Sequence, residues 1–81
     1  MWRYIEKYNY AETWRDPDDI HYKNEKYFKT LGEALKYGCK EAEKFGNYIK
    51  GKDFRYYKNY KSLIYTCWGS YAPTLIIAKA I

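Results

Sequence analysis

The chain has 81 residues, the size of one small domain whose core only just supports itself. Its net charge is +5 and its mean hydropathy −0.83. No window approaches the ~20 apolar residues of a transmembrane helix, so a spanning helix is excluded and no membrane partner is expected.

Seven Ile, four Leu and one Met, with no Val, stand against twelve Tyr, three Trp and three Phe. The core must therefore borrow rings, each able to bury roughly 150–250 Å². Twelve Tyr exceed what one such core holds, so some are expected at the surface, where tyrosine serves recognition.

In chain order, "WRYIEKYNYA" alternates. Trp2, Tyr4, Glu6, Tyr8 and Tyr10 fall on one side, and Arg3, Ile5, Lys7, Asn9 and Ala11 on the other, which is a strand pattern. "ETWRDPDD" is a polar loop with Pro17 between aspartates, a turn signal. "IHYKNEKYFK" reads as a second strand, interrupted near Asn24.

Thr30 and Glu33 then have the spacing of a capping box. From Leu31, the residues Ala34, Leu35, Gly38, Ala42 and Phe45 recur at three- and four-residue steps, which predicts a helix over 31–45. Its packing face is expected to use Leu31, Leu35, Ala42 and Phe45, with Ala34, Gly38 and Ala42 making a flat strip of small residues that lets the helix sit close on the sheet. Gly46-Asn47 supplies the stop.

"DFRYY" and "SLIYTCW" form a hairpin around the loop "KNYK", pairing Tyr57 with Ser62, Tyr56 with Leu63, Arg55 with Ile64 and Phe54 with Tyr65. "GSYAP" turns the chain into the last strand, "TLIIAKAI", which is apolar on both faces and so belongs inside the sheet. At an edge it would need a second copy to cover it, so the chain is expected to be a monomer or, failing that, a homodimer. The order ββαβββ predicts an α+β domain: an antiparallel sheet of about five strands with one helix on one face.

One helix cannot cover both faces, so the other face is expected to be open. On the hairpin, Phe54, Tyr56, Leu63, Tyr65 and Cys67 take the dry, helix side. Arg55, Tyr57, Ile64, Thr66 and Trp68 take the open one. Lys50, Lys52, Lys58 and Lys61 lie at the ends of that open set. The candidate binding residues are thus Arg55, Tyr57, Trp68, Lys58, Lys61, Lys50 and Lys52.

Charge agrees with this choice. Residues 1–35 hold six Lys/Arg and seven Asp/Glu, a net of −1. Residues 36–81 hold nine and three, a net of +6. The expected partner is an acidic macromolecular surface: a host protein, a protein–nucleic-acid complex or nucleic acid itself. Lys outnumbers Arg twelve to three, which suits phosphates better than base edges.

Chemistry-bearing motifs are sparse. The acidic turn at Asp16, Asp18, Asp19 and His21 has no EF-hand or zinc spacing and reads as an Asx-type cap. His21 is the sole histidine, and no nucleophile motif, P-loop or paired-carboxylate motif accompanies it. No catalysis, cofactor or metal is expected. Cys39 and Cys67 form no CxxC pair and read as free, partly buried thiols. "MWRYIEKYNY" shows no secretory leader, so a reducing cytoplasm is the expected setting.

A small Tyr- and Lys-rich chain of this kind is similar in size and composition, though not in any motif, to phage or mobile-element proteins that block a host protein, anti-CRISPR inhibitors among them. By that analogy it is a non-enzymatic inhibitor or modulator in an anti-defence role. The alternative is a single-stranded nucleic-acid-binding module with little sequence preference, its rings stacking bases.

Overall fold

A computed structural model describes residues 1–8, 14–18, 21–69 and 71–80. Asn9, Tyr10, Ala11, Asp19, Ile20 and Ile81, which the sequence assigned to strands or to the acidic turn, lie outside them. Strands β1 (Trp2–Tyr8) and β2 (Tyr22–Phe28) precede helix α1 (Leu31–Lys44). A 3₁₀ turn at Gly51–Asp53 leads into β3 (Arg55–Tyr57), β4 (Ser62–Thr66) and β5 (Pro73–Lys79). The five strands form one antiparallel sheet in the order β2-β1-β5-β4-β3.

The doubly apolar β5 sits between β1 and β4, and Leu75, Ile76 and Ile77 are all buried. That central place removes the need for a second copy to cover it. The interruption near Asn24 is a register shift: Glu6 faces Asn24 but Lys7 faces Tyr22, so Lys23 is the extra residue.

Helix α1 starts where its capping box predicts. The Thr30 Oγ1 accepts the Glu33 N–H at 3.2 Å. It ends in a Schellman motif, with Asn47 N–H donating to Ala42 O and Gly46 N–H to Glu43 O while Gly46 takes φ +79°.

The small strip Ala34, Gly38 and Ala42 lies on the sheet as expected, but of the four residues expected to carry the packing only Ala42 is fully buried. Ala34, Gly38, Glu41 and Ala42 are buried, while Leu31, Leu35 and Phe45 flank them half-buried. The small residues decide this. A Cβ on Gly38 would lie 2.8 Å from the Phe54 ring and 3.5 Å from Tyr4, so the helix descends on its small face and its large side chains splay to the rims.

The sheet face away from the helix is not open at its centre, contrary to expectation. Segment 14–18 straps it. The Arg3 guanidinium donates to Pro17 O (2.7 Å) and Lys7 Nζ to Asp16 O (2.9 Å). The Arg15 guanidinium lies between the Trp14 ring (4.0 Å) and the Tyr57 ring (5.2 Å). On the same face Ile5, Ile64 and Ile76 form a second small core, with Tyr22 and Tyr57 packed against it. Within it, Asp16 Oδ1 accepts the Asp18 N–H, the Asx turn expected there.

Candidate functional site

The hairpin ladder pairs Arg55 with Ile64, Tyr56 with Leu63 and Tyr57 with Ser62, as the loop "KNYK" predicts. Phe54 stays outside the ladder, although its ring still meets Tyr65 at 6.0 Å. Because β3 begins only at Arg55, β4 runs on past it through Tyr65 and Thr66 at the sheet's free edge. The chain before Arg55 turns aside through the 3₁₀ turn, and a hollow of about 540 Å³ is left between the two. Tyr48, Lys52, Arg55, Tyr57, Thr66 and Trp68 are among the residues lining it.

Four of the seven candidate residues thus share one site: Lys52, Arg55, Tyr57 and Trp68. Lys50 is exposed beside it, at the cap of the 3₁₀ turn. Lys58 and Lys61 are exposed in the turn at the hairpin's far end, so they do not join it. Two face assignments need correction. Ile64 is buried with Ile5 and Ile76 rather than open, and Tyr57 is half-buried against that cluster and the Arg15 guanidinium. Tyr56, assigned to the dry side, is 64% exposed because the helix packs on β1, β2 and β5 and not on β3.

Trp68 is 79% exposed, yet its backbone is fixed. Buried Asn47 accepts the Trp68 N–H at 3.0 Å and the Tyr65 hydroxyl at 2.9 Å on Oδ1. Its Nδ2 donates to Phe45 O and, at 3.4 Å, to Trp68 O. One amide therefore joins the end of the helix to the end of β4. Burial, then the neighbouring Cys67, raises the Tyr65 phenol above its ordinary value, which keeps it a donor in this network.

Across the hollow Tyr48 is 87% exposed. On the same turn as Trp68, Tyr71 is 86% exposed and takes φ +64°. A left-handed conformation costs an L-residue about 1–2 kcal/mol, so a bulky, solvent-facing Tyr there is held against its preference.

The electrostatics favour anions. Among the described residues Asp53 is the sole acid lining the hollow, and its Oδ2 is engaged by the Lys50 N–H at 2.8 Å. Lys50, Lys52 and Arg55 form no ion pair among the described residues.

Sequence reasoning missed Asn47, Tyr48 and Tyr71. Asn47 was legible as a helix stop, but its reach to Trp68, twenty-one residues away, has no local signal. Tyr48 and Tyr71 were two tyrosines among twelve. Among the described residues no three His, Cys, Asp or Glu are grouped as metal ligands would be. No family model, curated protein or solved structure matches this chain.

Proposed function

We propose that the chain is a non-enzymatic binding protein that seizes an acidic protein surface through the Trp68 hollow and acts by occupying that surface, in the manner of a small inhibitor of a host protein. The observation that carries this reading is the pairing of an exposed Trp68 ring with a backbone clamped at both N–H and C=O by Asn47. A ring carried on a backbone that is already held gives up less freedom on binding than one on a mobile loop, so more of its burial is converted to affinity. Trp, Tyr and Arg are the residue types that dominate binding hot spots. Here Trp68, Tyr48 and Arg55 line one hollow. Lys50 and Lys52 steer an acidic partner toward it.

A second reading has its own support. Exposed rings beside unpaired cations suit a single strand of nucleic acid, with bases stacked on Trp68 and Tyr48 and phosphates near Lys52 and Arg55.

Salt separates the two. The tagged protein is used to capture partners from nuclease-treated lysate, and is titrated separately with a fluorescent oligo-dT at low and moderate salt. Capture of one protein that survives moderate salt, with negligible oligo-dT binding, is the expected result. Oligo-dT binding that falls steeply with salt, and no protein captured after nuclease, would transfer the hollow to nucleic acid.

A further inference from the structure

A second concavity lies on the helix side of the sheet, remote from Trp68. It is a groove of about 480 Å³ lined by Trp2, Leu31, Tyr56, Leu63, Lys61 and Lys79. That volume lies within the roughly 300–1,000 Å³ of small-molecule sites. The groove exists because α1 packs over β1, β2 and β5 but stops short of the β3–β4 hairpin.

Its floor is apolar, and its charge is all at one end. Trp2 pairs with Lys79, and Ser62 pairs with Ala78. Lys61, in the turn just before Ser62, and Lys79 both line this groove. Like charges sharing one groove repel. Neither amine forms an ion pair among the described residues. Asp18 lines a neighbouring cleft with both lysines, and Asp16 and Asp18 line another with Lys61, without an ion pair to either amine among the described residues. Lys61 also takes φ +49°, a conformation that favours Gly or Asn. Leu31 opens α1, so the positive end of the helix dipole points to the same region.

An apolar floor with a paired cationic end is complementary to a single-headed amphiphile. We propose that this groove binds an acyl chain bearing one anionic head, of the class of a medium-chain fatty carboxylate, with the head between Lys61 and Lys79 and the chain over Leu63, Leu31 and Trp2. A peptide fits less well, because its backbone amides would lie on a floor offering almost no hydrogen-bond partners, which is costly. The site is independent of the Trp68 hollow.

The test is a titration of the intact, isotope-labelled protein with dodecanoate below its micellar concentration, read by amide and indole shifts. Dodecyltrimethylammonium and a short acidic peptide serve as separate arms. Saturable shifts at Trp2, Leu31, Tyr56 and Leu63 are expected. They should weaken about tenfold in folded Lys61→Glu/Lys79→Glu, the order of one charge-assisted contact. Equal binding of the cationic amphiphile would show mere apolar adsorption and overturn the proposal. So would tighter binding of the acidic peptide, or shifts centred on Trp68 and Tyr48.

Discussion

At the scale of single residues, two glycines of the same helix make opposite predictions. A Cβ at Gly38 would meet Phe54 at 2.8 Å, whereas one at Gly32 meets nothing within 4 Å. Gly38→Ala should destabilise the fold, by an amount in the ~1–3 kcal/mol range of overpacked cores. Gly32→Ala should stabilise it by up to ~1 kcal/mol through helix propensity. Chemical denaturation of both variants checks the pair, and equal shifts would contradict the close approach of α1 to Phe54. Phe45, half-buried at the rim, should tolerate Ala at less than the roughly 3–5 kcal/mol of a buried ring. Asn47→Ala leaves the Trp68 N–H and the Tyr65 hydroxyl without their acceptor. The expected cost is about 1–3 kcal/mol per orphaned group, read as a lower denaturation midpoint.

Between elements, helix and sheet are joined by a polar cluster. The Tyr4 hydroxyl donates to Glu6 Oε1 at 2.9 Å and the Tyr37 hydroxyl to Glu41 Oε1 at 3.4 Å, while Lys44 pairs with Glu41 Oε2 at 2.6 Å. Burial holds the Glu6 carboxyl above its ordinary value, with the proton it shares with Glu41 adding to the rise. Burial would raise Glu41 too, but hydrogen bonds from Lys44, Glu6 and Tyr37 outweigh it, and Glu41 is held low. The signs are opposite. The Glu6 contribution is complete below the ordinary Glu value of about 4.3 and is lost as pH rises through its raised value. The Glu41 contribution is present above the ordinary value and is lost as pH falls through its lowered one. Wild-type melting temperature should therefore decline as pH rises from about 4.3, and Glu6→Gln should flatten that decline. An undiminished decline in the variant would assign it to other groups. The elements themselves were largely legible in the sequence, because periodicity and caps are local: the Thr30 cap, the Gly46 stop, the hairpin register and the central β5 all follow from it. The strap was not. Its hold depends on Arg3 and Lys7 reaching carbonyls in a loop that reads as solvated, and on the Arg15 guanidinium lying against the Tyr57 ring. The candidate site was half legible for the same reason: β3's late start gathers Lys52, Arg55, Tyr57 and Trp68, while Lys58 and Lys61 stay in the turn at the far end of the hairpin.

Over the whole molecule, the two sheet faces are both closed at their centres, one by α1 and one by the strap, and the exposed rings gather at the margins. Tyr48, Trp68 and Tyr71 lie at the end of β4, and Tyr56 is on the β3 edge. Tyr27 is exposed on β2 at the opposite edge, and the proposed recognition uses the β3–β4 edge and not a face. An acidic partner held there should lose on-rate with rising salt when the lysines are present. Lys50→Ala/Lys52→Ala should flatten that dependence with little change in off-rate, as stopped-flow mixing would show. The most direct measurement is capture of the partner from nuclease-treated lysate by Trp68→Ala, on a protein whose melting curve is recorded alongside. Because the Trp68 ring is 79% exposed and its clamp to Asn47 uses only backbone atoms, melting should stay within about 0.5 kcal/mol of wild type. Capture should be lost, at a cost of about 2 kcal/mol or more in affinity. A folded Trp68→Ala protein that captures the partner as well as wild type would contradict the assignment of binding to this edge.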